Sequence, residues 1–163
     1  MATEVRQSVT QNKNPLVITD GFKMVFRRAP NVIYFLQNFT LPGITVGEVT
    51  IGRSQQNVYV PGDRIVYEQF TASMLVAEDM DNWKEVHDWL QRSVKSDNSA
   101  DKYDDITVFV LTSKGNVNKT ISFKNAFPTS IGGVVFNTAE ADATFGMVDV
   151  TFRYDYYTFE STS

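Results

Sequence analysis

Between Ile65 and Val94 the hydrophobic period switches from two to about 3.6, and this switch restricts the fold more than any other feature of the chain. From Ile65 to Val76, the residues Phe70, Ala72, Met74 and Val76 alternate with Gln69, Thr71 and Ser73, as in a strand with one buried face. Beyond the acidic turn Glu78-Asp79-Met80-Asp81, the residues Trp83, Val86, Trp89, Leu90 and Val94 form one stripe at helical spacing. Lys84, Glu85, Asp88 and Arg92 face away from it. Asn82 and Glu85 have capping-box spacing, and Asp79, Asp81 and Glu85 suit the positive end of a helix. A helix at about 81–94 with one apolar stripe, following a one-faced strand, is expected to lie on a sheet.

The remaining segments supply that sheet. Phe22, Met24 and Phe26 alternate with Lys23, Val25 and Arg27, which predicts a strand, and Ala29-Pro30-Asn31 predicts a turn. Val32–Phe39 reads as a second strand, apolar on both faces in its first half. Leu41-Pro42-Gly43 stops it. Ile44 to Val60 is extended, glycine-bearing and weakly alternating, which suits a protruding hairpin better than a core strand, and Pro61-Gly62-Asp63 is expected to turn the chain back. Asp105–Thr112 and Val117–Lys124 flank Ser113-Lys114-Gly115-Asn116 as a hairpin. Asn125–Ser130 reads as a corner, and Ile131-Gly132-Gly133-Val134-Val135-Phe136 as a short segment. Phe145–Phe159 reads as one last strand, with Val148, Val150, Phe152, Tyr154 and Tyr156 on one face and Asp149, Thr151, Arg153 and Asp155 on the other. Six or seven strands and one helix predict a mainly β fold, an antiparallel barrel or sandwich with one amphipathic helix. At 163 residues the length fits one domain, 1–163, with a core at 20–158. Residues 1–19, polar and aperiodic as far as Asn14-Pro15, are expected to be an arm, either a loose terminus or one that orders against a neighbouring copy.

Chemistry has little to build on. The chain has no cysteine, which removes disulfides, thiolate catalysis and cysteine zinc sites, and His87 is its only histidine. His87 falls at the edge of the helical stripe near Trp83 and Leu90, and Ser93 points elsewhere, so no triad is expected. Glu78, Asp79 and Asp81 lack the ligand spacing of a calcium loop and suit helix capping; Asp101, Asp104 and Asp105 read as a solvated linker. No phosphate-binding glycine loop is present. Catalytic residues, metal and cofactor are therefore all expected to be absent. The net charge of −4 argues against capture of nucleic acid, and Arg27-Arg28 with Lys114, Lys119 and Lys124 is too sparse for a phosphate-binding patch. No apolar run approaches the length of a membrane helix and residues 1–14 lack the apolar core of a signal peptide, so no membrane partner is expected. What does stand out is a set of small polar strand faces: Gln69, Thr71 and Ser73; Asn118, Thr120 and Ser122; and Thr151 between Asp149 and Asp155. They suit either ordinary solvent exposure or a wall facing water inside a channel.

The order of motifs resembles the tail tube proteins of contractile-tailed, T4-like bacteriophages. The matching residues are Leu41-Pro42-Gly43, then Val58-Tyr59-Val60-Pro61-Gly62-Asp63-Arg64. The acidic turn Glu78-Asp79, the helix carrying Trp89, Phe127-Pro128-Thr129 ahead of Gly132, and a last strand ending Tyr154-Asp155-Tyr156 follow in order. The resemblance spans about 20–158 and implies a β-barrel or sandwich whose copies join into hexameric rings. These rings stack as a hollow tube through which DNA passes unbound, with sheath, baseplate and tail terminator proteins as partners. It implies a place in the virion tail after synthesis in the host cytoplasm, and no enzymatic activity. Within that frame Ile44, Val46, Val49, Ile51, Arg53, Gln55, Gln56, Asn57 and Tyr59 are expected contacts with another ring or subunit. Pro42, Gly43, Pro61, Gly62 and Asp63 are structural corners. Gln69, Thr71, Ser73, Asn118, Thr120, Ser122, Asp149, Thr151 and Asp155 are expected to line the bore. At −4 per copy, six copies carry about −24 per ring, which would repel phosphates rather than hold them. A baseplate protein that initiates the tube, or a small β-barrel binding module, are the other readings.

Overall fold

Alternating apolar residues in antiparallel strands leave one face that must be buried, and here two such faces are turned toward each other. The computed structural model describes residues 21–139, 142 and 144–161. The expected arm at 1–19 lies outside them. In chain order the elements are β1 (Phe22–Phe26), a 3-10 helix (Pro30–Phe35), β2 (Leu36–Phe39), β3 (Ile44–Gly52), β4 (Asn57–Tyr67), β5 (Phe70–Leu75) and α1 (Asp81–Lys95). They continue with the short α2 (Ser99–Lys102), β6 (Asp104–Leu111), β7 (Val117–Ile131), β8 (Met147–Arg153) and β9 (Tyr156–Ser161). Seven strands pair in the antiparallel order β1-β6-β7-β8-β5-β2, with β9 also on β7, while β3 and β4 pair only with each other.

β7 belongs to two layers. Its first part pairs with β6 and β9, and from Phe127 onward it pairs with β8. Between the two parts Asn125 adopts a left-handed backbone (φ 53°), a conformation that asparagine tolerates better than most residues. Around it the Asn125 N–H donates to Asp105 Oδ1 (3.2 Å), its Nδ2 to Asp155 Oδ2 (2.6 Å), and the Asp155 N–H to the Lys124 carbonyl (3.0 Å). Lys124 Nζ lies 2.7 Å from Asp105 Oδ2. Partial burial works to raise the Asp105 pKa, but the hydrogen bonds from Lys124 and Asn125 hold it below the ordinary carboxylate value.

Bent in this way, the strands enclose Met24, Phe26, Ile106, Val108, Ile121 and Phe123 from one layer and Phe70, Met74, Val148, Val150 and Phe152 from the other. Phe70 meets Phe123 at 4.8 Å between ring centroids, and Phe26 meets Phe152 at 5.5 Å. The ends of the strand path, β1 and β2, touch through Phe22 and Phe39 (5.8 Å) without pairing, so the barrel stays open.

α1 packs against β7 and the 3-10 helix. Val86 and Trp89 enter the core, and the indole of Trp89, fully buried, donates to the Lys102 carbonyl at 3.0 Å. Trp83 Nε1 donates to the Gly132 carbonyl (3.1 Å).

Several expectations change. The capping box does not form: Met80, left-handed at φ 58°, begins the helix, and buried Asn82 accepts from the Ala77 N–H while donating to the Leu75 carbonyl. Glu85 instead accepts from the backbone and side chain of Asn31. Val94 is 85% exposed, because the last turn of α1 overhangs the core. The start of the predicted strand Val32–Phe39 is a 3-10 turn, entered at Pro30, whose fixed φ suits a first helical position. The long strand from Ile65 breaks at Glu68-Gln69, where the backbone leaves the β3–β4 pair and joins the main sheet. The last strand likewise breaks at Tyr154-Asp155, because β8 pairs with the far part of β7 and β9 with the near part. Asp104 is buried rather than solvated: its Oδ2 accepts the backbone N–H groups of Arg27 and Arg28. The turn at Ser113–Asn116 forms as expected, with Gly115 at φ 77°.

Two outcomes follow from this packing. Trp89→Ala is expected to cost about 3–5 kcal/mol in denaturant unfolding, since it empties a fully enclosed site. Burial, and then the neighbouring Tyr157 and Tyr67, push the Tyr154 phenol up to about 12 from an ordinary 10.0. The unfolded chain therefore loses this proton first; stability is intact below about pH 10 and declines as the pH climbs toward 12. Tyr154→Phe should flatten that decline in an alkaline unfolding series, and an unchanged slope would contradict the assignment.

Candidate functional site

The β3–β4 hairpin projects from the main sheet and pairs with no other strand. An isolated two-stranded ribbon is at best marginally stable in water, and this one carries exposed branched residues along both strands. Its base is tied down: the Tyr157 hydroxyl donates to the Pro42 carbonyl (3.3 Å), the Glu68 N–H donates to the Gly43 carbonyl (3.1 Å), and the Tyr154 hydroxyl donates to the Glu68 carbonyl (2.7 Å). Pro42 and Gly43 lie in the connection between β2 and β3. Pro61, Gly62 and Asp63 form no corner: they lie within β4, opposite a register shift between Val46 and Glu48. A β-carbon at Gly62 would meet the Gly47 carbonyl oxygen at 2.6 Å, so close backbone approach, not a turn, makes glycine necessary there.

Both faces of the ribbon carry exposed apolar residues. Near the base, Ile44 pairs with Tyr67 and Val46 with Ile65 on one face. Past the irregularity, Glu48, Thr50, Tyr59 and Pro61 continue that face, and the aliphatic set Val49, Ile51, Val58 and Val60 occupies the opposite one. Arg53, Gln55, Gln56 and Asn57 form the exposed tip, closed by an Arg53 N–H bond to the Gln56 carbonyl (3.2 Å).

The small polar residues separate into two groups. Thr71, Ser73, Asp149 and Thr151 lie together on the outer face of β5 and β8: Thr71 and Thr151 oppose each other with hydroxyls 3.3 Å apart, and the Ser73 hydroxyl donates to Asp149 Oδ1 (2.5 Å). Asn118, Thr120 and Ser122 lie on the other layer, beside β6 and β9. Gln69 is exposed in the β4–β5 connection, and Asp155 sits at the Asn125 joint. His87 stacks on Trp83 (5.4 Å, 16° between planes) with Asp88 at 3.3 Å, while the Ser93 hydroxyl is turned to the Trp89 carbonyl. Among the described residues no three His, Asp or Glu side chains are grouped to hold a metal ion.

One surface escaped sequence reasoning. Val135, Phe136, Phe145 and Met147, in and beside the β7–β8 connection, are all exposed. The aperiodic apolar run Val134-Val135-Phe136 after two glycines was the available signal.

The chain thus has an open two-layer β fold with a helix packed on it and an apolar ribbon projecting from it. Solved chains with this fold include one from the tube-terminating cap of the anti-feeding prophage, at 14% identity and TM-score 0.70, covering 98% of this chain and 100% of that one. Another comes from the sheath/tube terminator of the PVC extracellular contractile injection system, at 16% and 0.68, covering 92% and 99%. A third is from the extended PVC sheath–tube complex, at 15% and 0.57, covering 99% and 100%. No curated protein matches in sequence. Residues 33–158 match the family described as T4-like virus tail tube protein gp19, and the chain belongs to that family.

Gly62→Val should distort the ribbon where β3 and β4 approach most closely while leaving the main sheet intact. The expected result is normal far-UV circular dichroism with faster proteolysis between residues 44 and 67; unchanged proteolysis would contradict the close-approach argument.

Proposed function

We propose that this chain is the structural subunit of a phage tail tube, non-enzymatic, forming hexameric rings that stack into a hollow conduit for DNA. The observation that carries the reading is the hairpin: a folded, register-defined ribbon whose apolar side chains have no cover among the described residues. Family membership supports the tube, and the likeness to chains of tube, sheath–tube and terminator assemblies supports sheath, baseplate and terminator proteins as partners within the virion. The hairpin residues from Ile44 to Tyr59 reach a neighbouring ring. The face of Thr71, Asp149 and Thr151, with Ser73 buried and bonded to Asp149, is the candidate bore lining: hydroxyls and a carboxylate offer phosphates no counter-charge, so DNA slides past without specific binding. Closing open strand edges within a ring removes the edge liability of the monomer.

A second reading, a ring at the tube's end, draws on the likeness to the tube-terminating cap. Electron microscopy of the purified protein separates the two: hollow rods support the tube subunit, single six-fold rings that never stack support the end ring, and a monomer at all concentrations overturns both. Deleting residues 53–57 should preserve the circular dichroism spectrum and shorten the rods; rods of unchanged length would remove the hairpin tip from stacking.

A further inference from the structure

Among the described residues, an apolar ridge and an apolar groove lie uncovered on different parts of the chain. One is the aliphatic face of the distal hairpin, with Val49 54% and Ile51 48% exposed. The other is a groove of about 350 Å³ between the β5–α1 turn and the β7–β8 connection, where Val135 (86%) and Phe136 (78%) stand at the rim. A two-fold contact sets one patch against itself; two unlike patches on a single chain suit a head-to-tail contact, in which one copy's ridge enters the next copy's groove.

Shape and charge agree. The hairpin presents a narrow ridge of branched side chains, Val49, Ile51, Val58 and Val60, on one side only. Among the described residues the groove is lined by apolar and small polar side chains, with Glu78 as the one charged group. Just beyond the ridge, at the hairpin tip, stands Arg53. Neither Arg53 nor Glu78 has an ion-pair partner among the described residues. Among the described residues nothing covers the ridge, and an occupant that matches both chemistry and charge is a second copy.

We infer that the Val49–Ile51–Val58–Val60 face of one copy docks in the Val76–Phe136 groove of another, seated by Arg53 against Glu78. This rests on the assembly reading and adds the site at which assembly occurs. The base of the hairpin, apolar on the opposite face, is left to meet a different surface, so one ribbon is gripped from both sides.

The absence of cysteine makes the test direct. Ile51→Cys and Phe136→Cys, both at exposed positions, are prepared separately, mixed, assembled and oxidised. A mixed disulfide between the two variants, mapped by mass spectrometry, is the expected product. Rods that form without it, or with position 51 cross-linked to another surface, overturn the docking site and leave the tube reading intact. Unsubstituted protein that stays monomeric at every concentration overturns both. Independently, Arg53→Glu and Glu78→Arg should each raise the concentration needed for assembly about two- to fivefold, as for an exposed ion pair. Combining them should restore it, and a double variant no better than either single one overturns the Arg53–Glu78 seat.

Discussion

β7 can serve two layers only because Asn125 turns its backbone into the left-handed region, and the contacts made there by Asp105, Asp155 and Lys124 hold the turn in place. Without that joint the strand would run straight and the two apolar faces would point away from each other. With it, β8 and β9, separated by only Tyr154 and Asp155, fall on opposite layers, and Phe70, Phe123 and Phe152 become one aromatic core. The helix follows from the same constraint, since bending the sheet leaves an opening that Val86 and Trp89 fill.

Inside, the accounts close: among the described residues every buried side-chain nitrogen and oxygen has a hydrogen-bond partner. Outside, they do not. The distal hairpin contributes nothing to this core, and the apolar residues beside the β7–β8 connection are left to solvent. With its described interior polar groups satisfied and apolar surface left on the hairpin and beside Phe136, the fold has hydrophobic surface available for association.

Much of the fold was legible because period is a strong signal. The alternation at Phe22–Phe26, Val117–Lys124 and Val148–Phe152 gave strands with the right inward residues, and the Trp83–Leu90 stripe gave the helix. The protruding character of 44–60 was also legible, since exposed strands carry little core alternation. Three things were not. Pro30 hid a 3-10 turn inside an apolar run, because such a run fits strand and helix equally. Pro61-Gly62 imitated a corner, although the need for glycine came from a carbonyl on the facing strand, which local sequence does not contain. Strand breaks at Glu68 and Tyr154 depend on a change of partner, a long-range matter invisible to periodicity. At the candidate site, the polar residues were found, but their division between two layers required the topology; the groove beside Phe136 was missed because an aperiodic apolar run reads equally well as core.

The continuity of β7 also has a mechanical meaning. Two layers joined only by side-chain packing can slip past each other under load, whereas here slippage would have to shear one unbroken 15-residue strand out of ladders on both layers at once. Force entering through one layer is therefore delivered to the other along a covalent path, and the subunit responds as a stiff block rather than as two plates.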